Sequence, residues 1–285
     1  MDSVIPNLAL MRLSAFHKAR GDDVRLYAPI EEGLYDKVYA SKVFNFSDKG
    51  YLRESMDIAG TGWDMLKTLP EEVEQHGPDY SLYQYPHNIG FTMRGCRLKC
   101  KFCVVPQKEG GPRSVNTIDQ LWTQRSSNFL MLLDNDFFGN PDWRDRIEEI
   151  KAFKLRVNFS QGLNIRNLKP EQAEALASVD FRNSRNADKM VMFAWDDPRH
   201  EKLIHKGIQI CADAGITGRR MGFYVLIGYH STPEEDLHRV ETLRSYGCYP
   251  YAMPYDKSDP YQKRFTRWVN HRAIFKTVQW KDYCK

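Results

Sequence analysis

At 285 residues, with 42% hydrophobic and 27% charged residues, the chain can hold one large or two modest domains around a real core. Its longest apolar runs are far too short to span a bilayer, and its first residues lack a signal peptide's basic stretch, apolar core and cleavage site, so no membrane partner is expected. Six cysteines, three of them clustered, suit a reducing, cytoplasmic setting better than a disulfide scaffold.

The net charge of +4 is unevenly spread: residues 31–79 carry eleven acids against five bases, and residues 257–285 carry eight Lys or Arg against two Asp. Residues 1–27 read as a helix and then a strand. Pro6 suits a first helical turn, Leu8, Met11, Leu13, Ala15, Phe16 and Ala19 supply an apolar face, and Gly21 is placed to end the helix. Val24-Arg25-Leu26-Tyr27 alternates as a short strand, and a second is expected at Lys37–Ala40. Gly60-Thr61-Gly62 marks a tight turn, and Pro70-Glu71-Glu72-Val73 opens a short helix. The segment from Pro78 to Pro86, with three tyrosines, reads as a linker, so a first region is drawn over 1–87.

From residue 88 strands and helices alternate. Apolar, β-branched or aromatic runs occupy 89–93, 129–133, 155–159, 190–194, 221–227 and 249–253. Helical patterns lie near 116–126, 141–153, 170–179, 198–214, 233–246 and 261–278. Asn116-Thr117 and Thr232-Pro233-Glu234-Glu235 look like helix starts, and Gly215 and Gly247 like helix ends. This rhythm implies parallel βαβ units, an α/β fold class, over 88–256. The tail from Tyr261 interleaves Phe265, Trp268, Phe275, Trp280 and Tyr283 with seven bases; near-helical spacing of its aromatics predicts a helix, within a third region at 257–285, packed on the preceding unit with its bases outward. Basic residues with interleaved aromatics also suit nucleic acid, which stays open as a partner.

Gly95-Cys96-Arg97-Leu98-Lys99-Cys100-Lys101-Phe102-Cys103 closes the first run. Three thiols on one loop, Cys96, Cys100 and Cys103, can converge on a metal and leave one position open, as in a 4Fe-4S cluster with three protein thiolates. Structural zinc normally closes a shell of four, and the sequence offers no obvious fourth ligand nearby. A disulfide, a structural zinc and chance are the competing readings.

The C-x3-C-x2-C spacing, with an aromatic before the third cysteine, resembles the cluster loop of the radical S-adenosylmethionine (radical SAM) superfamily. That resemblance implies a partial (β/α)6 TIM-like barrel, a 4Fe-4S cluster, S-adenosylmethionine (SAM), a reductant such as flavodoxin or ferredoxin, and hydrogen abstraction from a substrate. The helix–Gly–Asp–strand pattern near the start resembles the cobalamin-associated branch. It implies a small, degenerate Rossmann-like layer; without the D-x-H-x-x-G loop, cobalamin itself is not expected.

The same resemblance assigns roles at successive strand ends, where parallel α/β barrels carry their chemistry. Phe102 would lie near adenine. Asp134, Asn135 and Asp136 would offer a carboxylate to the cofactor's amino group, helix capping being the alternative. Ser160 and Gln161, with Arg166 shortly after, could reach its carboxylate or ribose, or the substrate. Asp196 and Asp197, a pair of acids at a strand end, suit a ribose diol or a substrate amine, capping again being the alternative. Leu226 and Ile227 lie on the adenine-side strand, and the backbone at Met253 could pair with adenine. Tyr255 could face substrate, and His230 could act as general acid or base. Arg94, Arg97, Lys99 and Lys101 could balance cluster charge or dock an acidic electron donor. Cys211 and Cys248 read as structural, while Cys284 lies in the tail. The substrate could be a nucleic acid or nucleoside, or a peptide or small metabolite. A metal-stabilised nucleic-acid-binding module is the non-enzymatic reading.

Overall fold

A computed structural model describes residues 5–45, 47, 50 and 52–283. In chain order its elements are α1 (Leu8–Ala19), β1 (Tyr39–Ser41), β2 (Asp57–Ala59), α2 (Glu71–Glu74), β3 (Asn88–Gly90), β4 (Met93–Arg94), α3 (Val105–Glu109), β5 (Arg113–Ser114) and α4 (Ile118–Leu121). These are followed by β6 (Phe129–Leu132), α5 (Trp143–Ala152), β7 (Arg156–Phe159), α6 (Pro170–Ala177), β8 (Asp180–Phe181), β9 (Val191–Ala194) and α7 (Glu201–Asp213). β10 (Met221–Ile227), α8 (Pro233–Ser245), β11 (Tyr249–Pro254), α9 (Pro260–Asn270), α10 (Arg272–Thr277) and α11 (Trp280–Tyr283) complete the order. The chain divides into a unit of residues 1–89 with 120–127, and a unit of residues 90–119 with 128–285.

In the first unit β1 and β2 pair in parallel, Tyr39 opposite Asp57. Asn7 caps α1, its Oδ1 accepting from the N–H groups of Ala9 and Leu10, and Gly21 ends the turn at φ +90. Val24–Tyr27 is not a strand: its alternation is local and no neighbouring strand among the described residues offers it a ladder. The strand expected at 37–40 is β1, shifted onward by two residues at its start. Gly60 and Gly62 are required by close approach, since a Cβ would stand 2.4 Å from the Lys42 carbonyl oxygen and 2.2 Å from the Phe44 carbonyl carbon.

The second unit is mixed α/β with parallel sheets. β6, β7 and β8 run side by side, and Leu133 donates to the Gly90 carbonyl on the other flank of β6. β9, β10 and β11 form a separate parallel sheet, with Met221 opposite Val191 and Gly222 opposite Tyr249. The two sheets meet at a backbone bridge, Leu163 to Phe193. The fourth expected strand, 190–194, is β9, which lies beside Leu163 beyond the end of β7, while β8, paired with the start of β7, is a short strand outside the expected runs. Between them Asn183 and Asp188 close a turn by backbone and side-chain bonds, with Asn186 at φ +54.

The first expected strand, 89–93, is broken. β3 ends at Gly90, and β4 turns away to pair antiparallel with β5, clasping the two ends of the cysteine loop. The helix expected over 116–126 shrinks to the single turn α4. Its first N–H, at Ile118, is held by the Glu149 carboxylate at 2.6 Å, while the Asn116 amide donates to the Phe91 carbonyl instead of capping. Thr232 and Glu235 do form a capping box, and Gly215 and Gly247 sit at φ +81 and +71 after their helices. The expected tail helix breaks at His271 into α9 and α10; Phe265, Trp268, Val269 and Phe275 are buried while Lys263, Arg264, Arg267, Arg272 and Lys276 are exposed. Asn270 pairs its side-chain amide with both backbone groups of Ala252, capping one point on the free edge of β11. No helix among the described residues is long and apolar enough to cross a membrane.

Candidate active site

The cysteine loop leaves β4 through Gly95, at φ +80, where a Cβ would lie 2.0 Å from the Gly111 carbonyl oxygen. Only glycine lets the chain turn there. The loop is then tied to its own return segment. Cys96 N–H donates to the Gly110 carbonyl at 3.2 Å and Gly95 N–H to the Glu109 carboxylate at 2.9 Å. Glu109 also pairs with Arg94 at 2.9 Å and accepts from the Asn135 amide at 3.1 Å. Sequence reasoning assigned Asn135 to the cofactor and overlooked Glu109, whose signal was its place just before the Gly110-Gly111 turn.

The three cysteines are half-buried, free thiols. Cys96 Sγ accepts from Leu98 N–H at 3.3 Å, and Cys103 N–H donates to the Cys100 carbonyl at 3.1 Å, so the second and third cysteines share a tight turn. Burial pushes the Cys96 thiol up to about 11, and the neighbouring Asp136, Cys100 and Cys103 add to it. Burial also raises Cys100, while the Arg166 guanidinium hydrogen-bonds its sulfur and pulls the other way. Among the described residues no three His, Cys, Asp or Glu side chains are already drawn together as a metal shell. The donor chemistry nonetheless fits a cluster: three mutually interacting thiols on one clasped loop, with a cation beside one of them.

Arg166 is the hub of the opposite wall. Besides Cys100 it reaches His200 Nδ1 at 3.1 Å, which must accept, because a guanidinium only donates. Burial, and then Arg166, hold the His200 imidazole below its usual range. Asp196 feels the same guanidinium and accepts from the Leu226 backbone N–H; burial raises its carboxyl. Asp196 and Leu226, predicted from separate strands, are thus in direct contact. Asp197 takes the capping role instead, accepting from Arg199 N–H and pairing with the Arg199 side chain.

Asp134 and Asp136 are both buried and both engaged. Asp134 accepts from Thr92 N–H at 2.7 Å, from Met93 N–H at 3.2 Å and from the Thr92 hydroxyl. Burial raises its carboxyl to about 6 against the pull of those donors. Asp136 takes two bonds from Arg97. Neither caps α5, whose N-cap position is Asp142. Of the four loop bases, Arg94 and Arg97 are committed to carboxylates, and Lys99 and Lys101 are exposed.

At the end of β7 three buried polar atoms have no partner among the described residues: Asn158 Oδ1, Ser160 Oγ and Asn164 Nδ2. Two acceptors, one of them also a donor, and one amide donor suit the polar groups of an amino-acid or ribose moiety. Gln161 is exposed beside them. Phe102, Tyr229, His230 and Tyr255 form one aromatic group: Tyr229 lies 5.4 Å from Phe102, 4.4 Å from His230 and 4.8 Å from Tyr255. Three of these were predicted, and Tyr229, which links them, was not. His230 sits at φ +50, and Ile227 is buried with its carbonyl accepting from Tyr255 N–H. Met253 is exposed on β11 next to Leu226. Cys211 and Cys248 are buried, burial raising both thiols, and Cys284 lies outside the described residues.

Behind these residues Arg239, fully buried, donates to the carbonyls of Trp195 and Leu226 at 2.9 Å each and pairs with buried Asp236. It pins the ends of β9 and β10 together. The i,i+3 charge pair inside a helix was its only trace in the sequence.

No family model matches the chain. Over 223 residues it is 24% identical to a CDK5RAP1-like protein of Oryza sativa subsp. japonica, a match covering 70% of this chain and 35% of the rice protein, so the chain spans about a third of that relative.

Proposed function

We propose that this chain is a radical SAM enzyme acting on a nucleic acid or modified nucleoside. The observation that carries the reading is the clasped loop of Cys96, Cys100 and Cys103 at the edge of a parallel α/β unit, beside orphaned polar atoms on β7. The likeness to the rice CDK5RAP1-like protein points toward the same class of enzyme. The strands of the second unit are read as the partial barrel of that class, and the parallel β1–β2 layer as a remnant of the cobalamin-associated branch without its cofactor.

In this reading Cys96, Cys100 and Cys103 would hold a 4Fe-4S cluster, and the group would supply one-electron reductive cleavage of SAM, with electrons from a flavodoxin- or ferredoxin-like donor, for hydrogen abstraction from substrate. The chain's own residues bind and orient. Ser160, Asn158 and Asn164 offer hydrogen bonds to the methionyl or ribose groups. Asp196 is poised for a diol, and Phe102 with Tyr229 for the adenine face. Glu109, Arg97 and Arg166 keep the cysteine loop in place. Tyr255, largely exposed at the rim, faces the substrate side with His230.

The test is anaerobic reconstitution. About four iron and four sulfide per chain, with 5′-deoxyadenosine formed under reductant, is expected. Zinc in place of iron with no SAM cleavage, or full cleavage by Cys100→Ala, would sink the proposal.

A further inference from the structure

The last strand carries a surface to which the site above assigns no role beyond its cysteine end. β11 turns Pro250 and Ala252 to its buried side and Tyr249, Tyr251 and Met253 to the other, with Tyr255 next in phase. Tyr251, Met253 and Tyr255 are 49%, 42% and 59% exposed, which is unusual for three large side chains in line on one strand. Successive members are separated by two residues, about 6.6 Å at a strand's rise of about 3.3 Å per residue. That is close to twice the roughly 3.4 Å step of stacked bases, room for a base between neighbouring side chains. Tyr251 is supported edge-on by Tyr224 at 5.9 Å, and Tyr255 by the tilted ring of Tyr229 at 4.8 Å.

The row ends in cations. At its Tyr249 end, the end of β11 away from the cysteine-side cluster, lies a cavity of about 290 Å³ lined by Arg219, Arg244, Tyr249, Tyr251, Arg272 and Lys276 among others, and by no Asp or Glu. Arg272 stands 4.4 Å over the Tyr249 ring and Lys276 5.8 Å from it. Arg244 is occupied by Glu241 and the Phe275 carbonyl, but no carboxylate among the described residues pairs with Arg219, Arg272 or Lys276. Cations without carboxylate partners beside a row of exposed tyrosines are complementary to a phosphate backbone carrying exposed bases.

We propose that this face is a binding track for single-stranded nucleic acid, with bases against Tyr251, Met253 and Tyr255 and phosphates at Arg219, Arg272 and Lys276. A flexible strand, and not a duplex, is the occupant, because only unpaired bases offer the faces that these side chains can stack on. The inference rests on the nucleic-acid reading of the function. It adds where the strand lies: one end beside Phe102 and Tyr229 at the cysteine side, the other anchored at the far end of β11.

The test is fluorescence anisotropy of the full chain with a labelled single-stranded 12-mer of mixed sequence, across a salt series. Wild type is expected to bind, with log Kd rising linearly with log salt. Arg272→Gln with Lys276→Gln should weaken binding and flatten that slope. Tyr251→Ala should weaken it about five- to 150-fold, the equivalent of about 1–3 kcal/mol per stacked base, with the slope unchanged, and Tyr251→Trp should restore it. Tyr251 is exposed, so its variants should keep the wild-type melting temperature. No binding at low salt overturns the proposal. So does an unchanged affinity in Tyr251→Ala, and so does displacement by polyglutamate as effective as by unlabelled oligonucleotide, which would mark the face as a site for acidic protein. Substrate-free SAM cleavage is read in parallel. Its loss with binding intact would count against the radical chemistry alone, and its persistence with no binding would count against the track alone.

Discussion

Arg97 holds Asp136 by two hydrogen bonds, of 2.6 and 3.0 Å, and the pair is lopsided: the carboxylate is 2% exposed and the guanidinium 31%. Gly139 makes the room, since a Cβ there would lie 2.3 Å from Asp136 Oδ2 and 3.0 Å from Arg97 Nε. The asymmetry predicts the order of effects. Arg97→Ala strands a buried carboxylate and should cost about 3 kcal/mol, whereas in Asp136→Ala the arginine can turn to water and the loss should be smaller. Gly139→Ala should resemble Arg97→Ala. Melting temperature with iron content after reconstitution reads both; equal destabilisation by the two pair variants would refute the argument.

Arg239 and Asp236 are both fully buried, and removing one leaves the other without its charge partner. Arg239→Ala should destabilise the chain by about 3–5 kcal/mol, and also free the Trp195 and Leu226 carbonyls it holds. Tyr261→Phe removes the phenol's bonds to Asp236, at 3.2 Å, and to the Pro233 carbonyl, at 3.4 Å, and should cost about 1 kcal/mol. Urea unfolding of the second unit is the measurement. A loss below 1 kcal/mol for Arg239→Ala would show that the pair does not bind β9 to β10.

Asp134 gives a pH signature. Burial raises its folded carboxyl from 3.8 to about 6, so the native state keeps a proton that the unfolded chain has released. This favours folding below about pH 4, is lost as pH rises toward 6, and leaves a constant penalty above, on the order of 3 kcal/mol. Asp134→Asn, which stays neutral, should remove that slope. Wild-type minus variant stability, measured from pH 4 to 8, should fall across the 4–6 window and then stay flat; a difference rising with pH would refute it.

What the sequence made legible follows from locality. The runs at 129–133, 221–227 and 249–253 became β6, β10 and β11 nearly as drawn, because continuous β-branched and aromatic stretches between helix caps have few other uses. Thr232-Pro233-Glu234-Glu235 capped its helix because the box is complete within four residues. The failures depended on distant partners. Val24–Tyr27 alternates but has no ladder, and Asn116 lost its capping role to Glu149 on another helix. The cysteine loop was plain from its spacing, but its supports, Glu109, Asp136 and Arg166, are far in sequence or silent in type. Tyr229 was passed over because a tyrosine after a strand is commonplace until its neighbours are known.

Arg166 and Cys100 offer a test on the metal-free protein. Burial raises the Cys100 thiol, and Arg166 opposes it by bonding the sulfur and by its charge. Arg166→Gln removes the charge and should leave less thiolate at pH 8. Each remaining thiolate is a better nucleophile, so the alkylation rate should fall by less than the thiolate fraction, about three-fold for each unit of rise. Cys96, raised to about 11 by its own burial and by Asp136, provides the reference within the same molecule. Mass-spectrometric iodoacetamide labelling should therefore show Cys100 slowing relative to Cys96 in the variant. Arg166→Lys should recover part of the rate, because it keeps the charge but loses the planar fork. An unchanged ratio of the two rates would mean that Arg166 does not govern the thiol, and would leave its guanidinium to His200 and Asp196.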